Sequence, residues 1–260
     1  EAKKIGFTLQ EIGNYNIVDL KKLLNDIGTK KNKVNYPELE QLASSTRPYF
    51  NQCIDALEQY NLTKLEKAIY DVALELGAVY VIHKFMVPFI KHIGRLWKNN
   101  KISKSQERFA NAVIRNYLEN YRSSFKSHNP ESPSVLIATP KGQKAELGCL
   151  VNACIAVSTG WNPIYLGVDL DSADIVEAAK SSKCVALLSS ILFPLDDPIV
   201  IDEMKKIRKG LGNNFEIIIN GKKSSVYSTH FDKIFSHQVY DLFSLPNTLE
   251  DIKNNVMKIS

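Results

Sequence analysis

Two hundred and sixty residues with 44% apolar content and a formal net charge of +5 suffice for one large or two ordinary domains, each with a core of its own. The small basic excess is dispersed, so it is weak evidence for a nucleic-acid partner on its own and suits a solvated, Lys-rich surface. No apolar run reaches the roughly 18 residues that a membrane span needs: the longest candidate, Val79–Trp97, is broken by His83, Lys84, Lys91, His92 and Arg95.

The cysteines Cys53, Cys149, Cys154 and Cys184 include no C-x-x-C pair, so free thiols in a reducing cytoplasm are expected. The chain starts on Glu1, shows no signal peptide, and reads as a fragment or processed product. Residues 1–12 read as a helix end, a turn at Gly6 and a new helix with the capping box Thr8-x-x-Glu11. Val18, Leu20, Leu23, Leu24 and Ile27 continue a helical pattern, and the Lys-rich stretch Thr29–Asn35 reads as a linker. Pro37–Ala43 is a short lead-in. Four amphipathic segments follow, Tyr49–Tyr60, Leu62–Leu76, Val79–Trp97 and Ser103–Phe125, and imply a four-helix bundle. Thr63 and Ser103 are the expected N-caps, Gly77 a stop, and Pro88 a kink.

The polar, proline-bearing stretch Ser127–Pro133 is the expected domain boundary, giving a bundle over 37–127 and an α/β domain over 128–260. Beyond it strands and helices alternate. Strands are expected at Val135–Ala138, Ile164–Leu166, Val185–Ser189 and Glu216–Ile219, with weak ones at Ile234–Phe235 and Asp241–Phe243. Helices are expected at Glu146–Thr159, Ser172–Ser181, Pro198–Lys209 and Leu249–Lys258. Near-continuous apolar strands imply a parallel sheet covered on both faces, hence a Rossmann-like, doubly wound domain.

No Walker loop, metalloprotease helix, G-x-S-x-G elbow or zinc pattern is present, and the single glycine of Lys141-Gly142-Gln143 is too little for a dinucleotide fingerprint. Two stretches carry a resemblance instead. One is Trp97 followed after nine residues by Glu107-Arg108; the other is Gly142-Gln143-Lys144-Ala145-Glu146-Leu147-Gly148. Over residues 45–245 the chain resembles the cobalamin-binding sensor region of MerR-type transcriptional regulators. Gly6-Phe7-Thr8-Leu9-Gln10-Glu11-Ile12 resembles the end of their DNA-binding module.

The resemblance implies a tryptophan (Trp97) over the upper corrin face and a glutamate (Glu107) beside it. A histidine able to take the metal after photolysis would stand at Arg108, and the lower cobalt ligand at Ala145. Thr139, Gly142 and Glu146 belong to the turn around that ligand. Ser189–Ser190 matches the serine-bearing strand end beside the nucleotide tail, and Asn220-Gly221 matches part of a later glycine turn. Neither alanine nor arginine can ligate cobalt, so no metal ligand is expected, and light cannot act by exchanging a histidine for the adenosyl group.

Three readings stand. The first is a cobalamin-binding sensor without a protein ligand to cobalt. The second is a MerR-like regulatory scaffold that has lost cobalamin. The third is a corrinoid methyl-carrying enzyme module, which the missing histidine disfavours. The favoured expectation is a non-enzymatic, cytoplasmic, homo-oligomeric regulator. It would contact DNA through an N-terminal module, use a regulatory protein partner and have no membrane contact. Plain structural roles compete at each position. Trp97 shares a stripe with Val79, Met86, Ile90 and Ile93 and suits a core, Glu107 suits the positive end of a helix, and Arg108 suits solvent. Met86 suits core filling, and His83 either a core or the cleft. His92 should be exposed, and His230 and His237 have no evident partner.

Overall fold

The computed structural model describes residues 37–124, 131–192, 197–221, 234 and 237–259, with the backbone alone at 37–45, 79 and 257–259. The expected features at residues 1–36, Phe235 and His230 lie outside these. The chain divides into two compact units, residues 1–113 and 114–260, and the division falls within a helix.

The helical part is built from α1 (Pro37–Glu58), α2 (Leu62–Leu76), a run of α3 (Ala78–Val81), a π-helical turn (Ile82–Met86) and α4 (Val87–Lys98), and α5 (Lys104–Ser124). α1 is one helix of 22 residues, where a lead-in and a separate helix were expected. Pro48 lies inside this helix, which passes through it although a proline has no N–H to bond back. Asn61, not Thr63, caps α2: its side chain accepts the Lys64 N–H at 3.0 Å. Gly77, at φ +78°, ends α2 as expected. Ser103 and Gln106 form the expected capping box, each backbone N–H bonded to the other side chain.

Pro88 is accommodated by the π turn: the Val87 N–H reaches back to the Ile82 carbonyl, and α4 restarts with the proline in its first turn. The core of this unit comprises Cys53 and Leu57 of α1, Leu65, Ile69 and Val72 of α2, and Ile82, Phe85, Met86, Phe89 and Ile93 of the third helical run. Phe50 packs on Phe85 and Phe89, with ring centroids 4.9 and 5.6 Å away.

The second unit holds a five-stranded parallel sheet of β1 (Ser134–Pro140), β2 (Asn162–Leu170), β3 (Ala186–Ser190), β4 (Glu216–Asn220) and β5 (His237–Val239), in the order β2-β1-β3-β4-β5. The expected Rossmann-like, doubly wound architecture is present. β1, β3 and β4 are buried almost throughout, as apolar runs covered on both faces must be. α6 (Glu146–Ser158) packs on β1, β2 and β3 and against α9 (Leu245–Ile259), while α7 (Ser172–Ser181) and α8 (Pro198–Leu211) pack on each other.

Leu136, Ala138, Leu187, Ile217 and Ile219 face a cluster with Ile175, Ala179, Val200, Met204 and Ile207. Period two sends Val135, Ile137, Leu188 and Ile218 to the other face. Trp161, fully buried just before β2, donates its indole N–H to the Leu249 carbonyl at 3.1 Å.

The strand expected at Asp241–Phe243 is absent. Residues 241–243 are a turn, started by Asp241, whose carboxylate accepts the Phe243 N–H, and α9 begins four residues earlier than Leu249. β5 lies instead at His237–Val239, a short, half-polar edge whose composition carries no strand periodicity.

Candidate functional site

In a parallel sheet ordered 2-1-3-4-5 the connections leave β1 and β3 toward opposite sides. The crevice outside their carboxyl ends is where such folds take ligands. Thr139 ends β1 there, and Ser189 and Ser190 end β3.

The loop after β1 is held by a dense set of bonds. Gly142 takes φ +91°, and the Gln143 N–H closes a turn on the Pro140 carbonyl at 3.0 Å. Buried Thr139 donates its hydroxyl to the Gln143 carbonyl at 2.7 Å and accepts the Asp169 N–H at 3.2 Å. Asp169, at φ +63°, accepts the Gly142 N–H at 2.7 Å. It also pairs with Lys144 at 3.4 Å, while Lys141 pairs with Asp171 at 2.9 Å. The Gly142 N–H, then Lys144, hold the Asp169 carboxyl below its usual range.

The fully buried Gln143 side chain accepts the Leu192 N–H at 2.9 Å, tying the loop after β1 to the loop after β3. Ala145 stands at the N-cap of α6 with no side-chain bond to give, and Glu146 pairs with Arg115 of α5 at 3.1 Å.

Further in, Asn152 of α6 and Asn220 of β4 exchange amide hydrogen bonds, both fully desolvated. Ser189 and Ser190 are 1% and 2% exposed, and their hydroxyl oxygens have no hydrogen-bond partner among the described residues. A buried hydroxyl left unpaired is costly, which marks the end of β3 as a place for a polar ligand atom. Gly221, at φ +139°, approaches so closely that a Cβ there would meet the Ile191 carbonyl oxygen at 2.3 Å.

Thr139, Gly142, Ala145, Glu146, Ser189 and Gly221 therefore all belong to the sheet unit, at or next to the carboxyl ends of its strands. Trp97, Glu107 and Arg108 belong to the helical unit. Trp97 is 46% exposed in the last turn of α4, so the core role that its stripe suggested is wrong. Its neighbours Met86 and Ile93 are buried, and the core ends before the helix does. Glu107 lies in the first turn of α5, accepts from Asn111 and sits 3.8 Å from Arg108, which is open to solvent as expected.

His83 is buried; desolvation and then Lys84 lower it to about 4, so it is a neutral core histidine. His92, expected in solvent, is half-buried edge-on against Phe50, at a centroid distance of 5.9 Å, and burial lowers its pKa. His237 pairs with Glu216 at 3.1 Å. All four cysteines are free and buried, and burial pushes Cys53, Cys149 and Cys154 up to about 12.

Among the described residues no group of three His, Cys, Asp or Glu side chains could hold a metal ion, and no helix is long and apolar enough to cross a membrane. Sequence reasoning quoted Gln143 within its motif without giving it a role, and passed over Asn152, Asp169 and Leu192. Of the three passed over, Asp169 alone left a signal, as an acidic residue directly after a strand-like Gly167-Val168.

Residues 49–121 match the family model of the B12 binding domain. No curated protein matches the chain in sequence. Among solved structures, the Methanosarcina barkeri monomethylamine corrinoid protein aligns over 79% of this chain and 99% of its own, with a TM-score of 0.61 and 17% identity; the two share a fold. A methanol:cobalamin methyltransferase complex from the same organism aligns over 93% of each chain at 13% identity, with a TM-score of 0.41. A cobalamin-binding protein from Desulfitobacterium hafniense DCB-2 covers 79% of this chain and 97% of its own at 14% identity, with a TM-score of 0.39. Those two overlaps are too loose to carry an argument. None of these matches supports the MerR part of the resemblance.

Proposed function

We propose that this chain is a corrinoid-binding module that holds its cofactor through the periphery of the molecule, with no protein ligand to cobalt. The B12 binding domain match over residues 49–121 is the observation that carries this reading. The fold held in common with a monomethylamine corrinoid protein agrees with it.

The residues present fit such a ligand in two respects and fail in one. The buried, unpartnered hydroxyls of Ser189 and Ser190 offer polar contacts at the switch point, and the loop from Thr139 to Glu146 is already ordered by Asp169. Position 145, however, presents a methyl group where cobalt would need a lone pair. In the sheet unit Thr139, Gly142, Glu146, Ser189 and Gly221 would border the cofactor. A part for Trp97, Glu107 and Arg108 of the helical unit rests on the sequence resemblance alone.

A bound corrinoid would supply a metal centre able to carry an alkyl group. The chain's own residues bind and orient it, and any transfer chemistry belongs to a partner protein, so the chain is not itself an enzyme. A regulatory role is the second reading. It rests on the Gly6–Ile12 resemblance and on the absence of a cobalt ligand at Ala145 and Arg108.

The test is visible absorbance of the purified chain after incubation with hydroxocobalamin or aquocobinamide and desalting. Retained colour without the spectrum of imidazole-ligated cobalt is expected. A colourless protein with both corrinoids rejects the cofactor reading.

A further inference from the structure

α2 carries apolar residues on two opposite faces. Leu65, Ala68, Ile69 and Val72 are buried in the helical unit. Leu74 falls directly opposite them on the 3.6-residue wheel and is 84% exposed, and Tyr70, one turn before it, is 48% exposed. Thr63, Lys67, Tyr70 and Leu74 follow one another at alternating spacings of four and three residues, so they form one outward stripe. Apolar groups gathered on one exposed helix face and bordered by charge mark an interaction surface.

The charges beside the stripe are ordered. One flank reads Lys64, Lys67, Asp71 and Glu75, basic in its first half and acidic in its second. Lys67 and Asp71 pair within the helix at 2.5 Å, on the surface, where such a pair contributes little. Turned end for end, this order complements itself. A second α2 laid antiparallel, with the two-fold axis beside Tyr70, sets Lys64 against Glu75 of the second copy and Lys67 against its Asp71. The same register lays each Leu74 over Thr63 and the apolar stem of Lys67 from the other copy. The opposite flank carries one charge, Glu66, which then meets the small Ala73. A parallel pairing would instead set like charges together, and a foreign partner would need no such symmetry.

We propose that the outward face of α2 is a self-association surface, through which two copies of this chain form an antiparallel, two-fold dimer. The inference uses the helical unit alone and is independent of the corrinoid reading. One helix of 15 residues from each copy makes a small contact, so a dissociation constant on the order of ten micromolar is expected.

Sedimentation of the intact chain, from about one to a few hundred micromolar, tests this. A reversible monomer–dimer equilibrium is expected. Leu74→Glu should weaken it at least about a hundredfold, because the burial of a leucine is lost once in each copy. Its urea midpoint should stay unchanged, since Leu74 faces solvent in the monomer. Lys64→Glu and Glu75→Lys should each weaken the dimer about tenfold, and the two together should restore it. These positions lie roughly 16 Å apart on one helix, so the rescue can act only between copies. Glu75 also accepts the Tyr49 hydroxyl, and a loss of fold from that bond would not be rescued at position 64. A monomer at every concentration overturns the proposal, as does a dimer that Leu74→Glu leaves intact. A double variant no better than the single ones overturns the antiparallel pairing.

Discussion

Ala145 and His83 show how much one side chain decides. At the N-cap of α6 the methyl of Ala145 offers no bond to a metal or to the helix. Ala145→His is expected to give a corrinoid complex with the absorbance of an imidazole-ligated cobalt, a spectrum that the unaltered chain lacks. If the spectra coincide, position 145 does not face the metal. His83 makes a statement about stability. Its pKa falls from 6.5 to about 4 because burial, then Lys84, disfavours the imidazolium. The folded state thus binds fewer protons than the unfolded one between these values, and stability falls as the pH drops from about 6.5 toward 4. The loss attributable to this group is on the order of 3 kcal/mol. Urea unfolding across that window should show it, and His83→Leu should flatten it; an unchanged slope in the variant would assign the effect elsewhere.

At the scale of elements, the crevice depends on close approach at the strand ends. Gly221→Ala would press a methyl into the Ile191 carbonyl and force an alanine to φ +139°, so a destabilisation of about 3 kcal/mol is expected from urea midpoints. A loss below about 0.5 kcal/mol would mean that the turn relaxes freely. The same elements show what can be read from residue order. β1, β3 and β4 are apolar runs bounded by turn residues, and burial on both faces leaves such a run few other places to go. β5 could not be placed, because an edge strand of His237, Gln238 and Val239 takes its conformation from pairing with β4 rather than from its own composition. The π turn was equally hidden. Pro88 announced a disturbance, but whether a helix kinks or widens depends on packing around Phe85 and Phe89. Of the site, the loop containing Ala145 was visible as a motif. The Gln143–Leu192 bond, which joins residues 49 positions apart, was not.

For the whole molecule, two observations pull the function in different directions. The family match over residues 49–121 points to a corrinoid, while a DNA-binding module was expected from the opening residues, which lie outside the described structure. Charge decides what this chain can do with nucleic acid. A net +5 spread over 260 residues gives no concentrated field for phosphate, so DNA binding by this chain should be weak, insensitive to sequence and lost with modest salt. Mobility-shift titrations at two ionic strengths check this; a tight, sequence-specific complex would return the regulatory reading to first place. Ligand binding has a global signature as well. A corrinoid held only by the native state raises the unfolding free energy by about 2.7 kcal/mol at a hundred times its dissociation constant, which thermal melts with each corrinoid would register.

The buried amide pair has a chemical consequence over time. Asn-Gly is the sequence most open to spontaneous deamidation, because the glycine nitrogen can attack the asparagine carbonyl and close a succinimide. At Asn220-Gly221 the amide is locked to Asn152, and the attacking nitrogen is bonded to the Val239 carbonyl at 3.1 Å. While the chain stays folded the ring cannot close; once it unfolds, nothing prevents it. Isoaspartate at position 220 would therefore accumulate only in molecules that have spent time unfolded. An aged preparation would carry there a covalent record of its lapses from the native state, and each damaged molecule would refold with a carboxylate where Asn152 needs an amide.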